Sequence, residues 1–211
     1  MNTQGLLDQL LRAGQQALGK QGGLSAGKGA LAGGALGLLL GNKKARKYGG
    51  KAVLYGGAAA LGLLAYKAYG NWQARQATAP RGEPRTLDRV PPAEAEQHSH
   101  AVLKALVAAA KADGHVDAQE RALIEGEFTR LGQGEGFDTW LHQELERPLD
   151  PAEVARAATT EEMAAEMYLA SVMVIDQEQF MERAYLDELA RQLSLDTGLK
   201  AELETQARNA A

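Results

Sequence analysis

Residues 150–174 read DPAEVARAATTEEMAAEMYLASVMV, and this stretch decides the fold. Asp150, Pro151 and Glu153 spell a helix start: an N-cap acid, proline at the first helical position and a glutamate at the third. Thr159 with Glu162 spells a second capping box. Met163, Met167, Ala170, Ser171 and Val174 then recur at the three-and-four spacing of one helix face.

The same period continues on both sides. Val102, Leu103, Leu106, Val107 and Ala110 mark one apolar face, and Ala122, Leu123 and Phe128 begin another. Trp140, Leu141 and Leu145 mark a short helix, and Leu186, Leu189, Ala190 and Leu193 line a later one. No stretch alternates like a strand. Residues 94–211 therefore predict an all-α bundle of five to seven helices with a core large enough to fold alone.

The front of the chain is a different material. Residues 1–80 hold ten Lys or Arg and one acid, Asp8, whereas residues 81–211 hold 13 basic and 26 acidic residues. Seventeen of the 24 glycines lie in the first 70 residues, and four of the six prolines (Pro80, Pro84, Pro91, Pro92) fall between the halves. Three parts follow: a Gly-rich, hydrophobic, basic region (1–72), a Pro-rich polar linker (73–93) and the acidic helical domain (94–211). With no cysteine, disulfides, thiolate metal sites and Cys nucleophiles are excluded. The apolar run begins only near Leu24 and the lysine block follows it, which is not the order of a cleavable signal peptide.

Ser25, Gly29, Gly33, Gly37 and Gly41 stand four apart, with Leu and Ala between them. On a helix they form a smooth stripe where a second backbone can approach. In water each interior glycine costs about 1 kcal/mol relative to alanine. In lipid such a glycine zipper is a packing surface. Leu24–Gly41 spans 18 residues but includes Lys28, and Ala52–Tyr66 spans 15, again with small residues four apart at Ala52, Gly56 and Ala60. Both fall short of the roughly 20 apolar residues a transmembrane helix needs. Tyr66, Tyr69 and Trp72 are an interfacial belt that extends the second one.

Three arrangements fit this region: a membrane hairpin with the Lys43–Lys51 basic loop on the cytoplasmic side, a single span from Ala52 to about Tyr69, or a peripheral Gly/Ala-rich segment. Ahead of it, Leu6, Leu7, Leu10, Leu11 and Leu18 describe a short amphipathic helix that lies on a membrane or packs on a neighbour. The lysine block has no interleaved aromatics, so nucleic acid is not expected as a partner.

Two acidic corners carry the candidate chemistry. KADGHVDAQERALI (111–124) holds Asp113, Asp117 and Glu120, and VIDQEQFMERAYL (174–186) holds Asp176 and Glu182. Each sets an Asp at the end of an apolar helix, then a short loop, then Glu-Arg-Ala opening the next helix. An oxygen-rich corner suits a hard divalent cation such as Ca²⁺ or Mg²⁺, although the spacing is not that of an EF-hand. Asp117 with Glu120 is equally an ordinary capping box, so capping and cation binding both stand. His98 and His100, two apart, point to different faces and do not pair as ligands; His115 sits in the acidic loop and His142 on the surface. No nucleophile–base set, phosphate loop or dinucleotide fingerprint is present, and no enzyme activity is expected.

The ADGHVDAQERALI stretch resembles the TerB-like (tellurite-resistance) domain family, whose mark is an acidic ADG-x-x-D/S-x-x-E corner. Asp113, Gly114, Asp117 and Glu120 match it, Asp176 and Glu182 match its later echo, and QLSLD (192–196) matches the closing segment. The second corner departs from the pattern, with Gln177 in place of glycine and one residue fewer in the loop. A Gly-rich hydrophobic front before such a domain is similar to the YebE-type inner-membrane proteins of bacteria. The resemblance implies an all-helical fold, a divalent-metal-responsive acidic site, a place in the bacterial inner membrane and a role in envelope or chemical-stress response.

The expected function is that of a non-enzymatic, membrane-attached scaffold or sensor whose acidic site binds a cation or a protein partner. It self-associates through Gly29, Gly33, Gly37 and Gly41. The alternative is a soluble or peripheral oligomer assembled through the glycine stripe, without metal.

Overall fold

A computed structural model of the chain describes residues 3–5, 7–8, 51–76, 82–112, 121–122, 125, 135–175 and 179–210. Among them every regular element is helical: α1 (Lys51–Arg75), α2 (Pro92–Ala110), α3 (Glu135–Glu146), α4 (Pro151–Ala155), α5 (Glu161–Val174), α6 (Phe180–Gln192) and α7 (Thr197–Asn209). Residues 3–5 and 7–8 are helical as well.

The middle of the fold is α5, which packs against α2, α1, α7 and α6. All side chains from Met163 to Val172 are buried. Its sequence predicts one apolar face; the structure buries the whole circumference, because Ala164, Ala165, Leu169 and Val172 fill the positions between the expected ones. A helix that is apolar all round belongs inside.

The caps behave as short-range chemistry demands. The Asp150 carboxylate accepts from the Ala152 N–H at 2.9 Å, with Pro151 in the first turn of α4. The cap of α5 is Thr160 rather than the expected Thr159: its hydroxyl oxygen accepts from the Met163 N–H at 3.2 Å. Thr159 instead directs its hydroxyl to the Met163 sulfur at 3.0 Å. Asp196 caps α7 by accepting from Gly198 and Leu199.

The second apolar segment, Ala52–Tyr66, lies within α1, and from Ala58 onward its inner face packs on protein. Ala58, Leu61, Ala65, Ala68 and Tyr69 are buried in the common core, facing α7 and α5. Lys67, Asn71, Gln73 and Arg75 interrupt its far half. Among the described residues, no helix is long and apolar enough to cross a membrane. Leu24–Gly41, the stripe glycines 29, 33, 37 and 41 included, lies outside the described residues.

Where the sequence suggests a tether, residues 82–91 lie on the bundle. Thr86 and Leu87 are buried, a turn closes from the Arg89 N–H to the Thr86 carbonyl at 2.7 Å, and the Arg89 guanidinium lies 3.8 Å from the centre of the Tyr66 ring. The turn needs Gly62 beneath it: a Cβ there would meet Asp88 Oδ1 at 2.6 Å and the Asp88 backbone nitrogen at 2.8 Å. The N-terminal residues also dock on protein. Leu7 is fully buried, Asp8 accepts from the Ala58 N–H at 3.0 Å, and the Glu96 carboxylate accepts from Thr3 N, Thr3 Oγ1 and Gln4 N.

Two substitutions test this geometry in opposite directions. Gly62→Ala pushes the Asp88 turn off α1 and lowers stability by about 1–3 kcal/mol, the usual range for forced overpacking. Ser194 has φ 55° just past α6, where Leu195 N–H bonds the Ala190 carbonyl and Ser194 N–H the Arg191 carbonyl. That is a Schellman end, which glycine suits best. Ser194→Gly therefore raises stability by about 0.5–1 kcal/mol. Urea denaturation of both variants checks the pair of signs.

Candidate functional site

The deepest polar centre joins three elements. Glu166 is fully buried in the middle of α5. Its Oε2 lies 2.6 Å from His98 Nδ1 on α2, and its Oε1 accepts the Leu87 N–H at 2.5 Å. Thr86 Oγ1 donates to Asp88 Oδ1 at 2.7 Å, holding the Asp88 carboxylate over the same region. Burial pushes the Glu166 carboxyl above the usual carboxylate range, and the nearby Asp88 charge adds to that; His98 and the Leu87 N–H pull the other way. Each carboxyl oxygen has a partner, which is the condition for burying such a group at tolerable cost. The arrangement pins α2, α5 and the 86–90 turn at one point.

A second set of bonds fastens α1 to the acidic helices. The Tyr69 hydroxyl donates to Glu161 at 2.6 Å, and the Trp72 indole N–H donates to Asp196 at 2.7 Å. Asn71 Nδ2 donates to the buried Glu202 carboxylate at 2.7 Å, Gln206 donates to it at 2.9 Å and Arg75 sits 3.1 Å away. The Asn71 hydrogen bond leads in holding Glu202 below its ordinary pKa, and the Trp72 bond does the same for Asp196. Hydrogen bonds to the charged form favour it.

Lysines close the other end. Lys111 Nζ donates to the carbonyls of Glu144 (2.9 Å) and Arg147, so an ammonium satisfies the last carbonyls of α3. Burial pushes the Lys111 pKa down. Lys104 donates to the Glu153 carbonyl at 3.0 Å and lies 3.9 Å from the Glu144 carboxylate. A shallow depression beside Lys111 is lined by Ala108, Glu144, Arg147, Asp150 and Glu153 among others.

Of the five expected cation ligands, Asp113, Asp117, Glu120 and Asp176 lie outside the described residues. Glu182 lies in the first turn of α6 and is buried. Among the described residues, no cluster of three or more His, Asp or Glu side chains is placed to hold a metal ion. The expectation for the two histidines is sharpened. His98 faces Glu166, while His100 packs on the Trp140 ring at 5.1 Å between centroids. His142 is half exposed and bonds Glu125 at 2.7 Å. Glu166 is the residue that the sequence reading missed. Its signal was present: one acid in the centre of an otherwise apolar helix, with one histidine on the apolar face of another.

The model of a family described as a protein of unknown function, DUF533, matches residues 25–207. A relative from Yersinia enterocolitica, named as an uncharacterized protein in the ampR 5′ region, is 36% identical over 126 residues, covering 60% of this chain and 89% of that protein. No solved structure matches the chain.

The buried centre makes its own prediction. Glu166→Ala strands the His98 ring nitrogen and the Leu87 N–H in the interior, and lowers stability by about 3–5 kcal/mol, as breaking a buried pair does. Glu166→Gln keeps the shape and one acceptor and costs about 1–2 kcal/mol, within the range of a single lost hydrogen bond. Denaturation midpoints that are equal for the two variants would show that the carboxyl group is not what holds this point together.

Proposed function

The chain belongs to the DUF533 family, and from that premise we propose that it is a binding scaffold or sensor rather than an enzyme. Its glycine-striped segment 24–41 attaches it to a membrane. The acidic corners of the bundle (Asp113, Asp117 and Glu120, with Asp176 and Glu182) bind a divalent cation or a protein partner. In this reading the bundle is TerB-like, the whole chain is of the YebE type, and it serves the bacterial inner membrane in envelope or chemical stress.

The observation that supports the reading is the stitching of α1 to the bundle through Tyr69–Glu161, Asn71–Glu202 and Trp72–Asp196. The segment 24–41 is followed by the 42–51 basic block and then by a helix whose inner face is core. Attachment at 24–41 would reach the acidic helices through α1, which these bonds tie to them, as a scaffold or sensor requires. Ala58, Ala65 and Ala68 of α1 already pack on protein, which favours segment 24–41 over α1 as the membrane contact.

That same packing favours a second reading, assembly without lipid. Ala58, Ala65 and Ala68 show small side chains in this chain serving helix-to-helix contact within protein, so Gly29, Gly33, Gly37 and Gly41 would join copies of the chain in the same manner.

One preparation separates the two readings. On the membrane reading, the full chain sediments with membranes and needs detergent for release, while Gly33→Leu still sediments but crosslinks less. On the assembly reading, the full chain stays in the supernatant as an oligomer that Gly33→Leu breaks. For the acidic corner, Ca²⁺ or Mg²⁺ at millimolar level raises the Tm of the full chain by mass action, and Asp113→Asn removes the rise. A Tm indifferent to both cations leaves these acids as helix caps.

A further inference from the structure

Building on the membrane reading above, we infer that the N-terminal residues and the acidic bundle lie on the same side of the bilayer, and that segment 24–41 attaches there without crossing as a single span.

Residues 3–8 are docked on the bundle at both ends. The Glu96 carboxylate of α2 accepts from Thr3 N at 2.6 Å, from Thr3 Oγ1 at 2.5 Å and from Gln4 N at 3.1 Å. A carboxylate in this place satisfies N–H groups that have no partner at the start of a helix. One turn on, Leu7 is fully buried, and the Asp8 carboxylate accepts the Ala58 N–H of α1 at 3.0 Å. An inserted leucine with bonds to two helices ties down this end of the chain. Both helices are part of the bundle, since α2 packs on α5 and α1 packs on α7 and α5.

Asp8 and Ala58 are thus 50 positions apart in sequence and one hydrogen bond apart in space. α1 begins at Lys51, so its start lies about 10 Å from Ala58 along a helix axis rising about 1.5 Å per residue. The hydrocarbon core of a bilayer is about 30 Å thick. Two points this close cannot bracket it, so the chain between them enters and leaves a membrane from one side.

Two crossings would satisfy the same condition, but the sequence is too short for them. A pair of spans of roughly 20 apolar residues each would use nearly all 42 residues from 9 to 50, and seven of those are Lys or Arg. An extended return through lipid is no substitute, because its backbone N–H and C=O groups would have no partners. α1 is not free to be the second leg of a hairpin either. Ala58, Leu61, Ala65, Ala68 and Tyr69 already face protein. Attachment to one leaflet is what remains, with the basic block 43–47 on the same side as the bundle.

Because the chain has no cysteine, single introduced thiols report sidedness without background. Asn2→Cys marks the N-terminus, and Arg208→Cys, exposed in the last turn of α7, marks the bundle. Each full-length variant, expressed in bacteria, is treated with a membrane-impermeant maleimide in spheroplasts and in inverted membrane vesicles. Both thiols are expected to react in the same preparation and to be shielded in the other. Reaction of one in spheroplasts and of the other in inverted vesicles overturns the inference and leaves the membrane reading standing. A chain that stays in the supernatant fails the membrane reading, and the inference with it. The docking has its own readout in detergent solution: a nitroxide on the Asn2→Cys thiol broadens the amide signals around Glu96 and Ala58. Signals that stay sharp there overturn the inference whatever the labelling gives.

Discussion

The rest of the structure depends on the enclosure of α5. Its segment EEMAAEMYLASVMV offers no polar face to water after the first turn, so it is stable only when surrounded. α2, α1, α7 and α6 supply that enclosure. Burying a Met or Leu side chain is worth about 1.5–3 kcal/mol, so the side chains from Met163 to Val172 supply a large part of the driving force. Around this constraint α6 and α7 need only one apolar face each and show that one-sided pattern, whereas α2 is buried nearly all round from Ala101 to Ala109.

Such an interior leaves polar groups few places to go, and the chain arranges them in pairs at the joints. Glu166 sits at the junction of α5, α2 and the 86–90 turn, and Glu202 sits where α7 meets α1. Both are carboxylates facing donors from a distant part of the sequence. A carboxylate that demands a partner fixes the register of two elements more sharply than apolar contact can, because a slip of one residue leaves a buried charge unpaired. The opposite charges of the two halves are joined locally in the same manner: Arg75 meets Glu202, and the polar end of α1 as a whole faces acids.

The helical class, the Asp150 cap and the apolar faces of α2 and α6 were legible in the sequence, because they rest on local rules of period and capping. The Thr160 cap was off by one, since TT followed by EE satisfies the pattern in two registers and only the Met163 N–H chooses between them. The packing of residues 82–91 was not legible. PRGEPRTLDRVPP is polar and proline-rich, and its fully inserted apolar anchor, Leu87, gains its meaning from a glutamate 79 residues away. Gly62 likewise reads as one more small residue in an Ala/Gly-rich helix, until the Asp88 turn is found lying on it. Of the five candidate ligands in the acidic corners, Glu182 alone falls within the described residues.

The small residues of α1 show why the front of this chain reads two ways. A run with Ala or Gly every three or four residues lets helices approach closely, and that geometry serves a bilayer and a protein core equally. The difference lies in what flanks the run. Leu61 and Tyr69 turn inward with the alanines, while Lys67 and Arg75 stay on the solvent side, and the polar residues at the end of the helix find acids on α5 and α7. A lipid-facing helix has no use for those donors. The segment 24–41 has no comparable set: its only charge is Lys28, and no Asn, Gln, Trp or Tyr lies within it to meet an acid. The sequence of the glycine stripe thus offers none of the Tyr, Asn or Trp donors that tie α1 to the acidic helices.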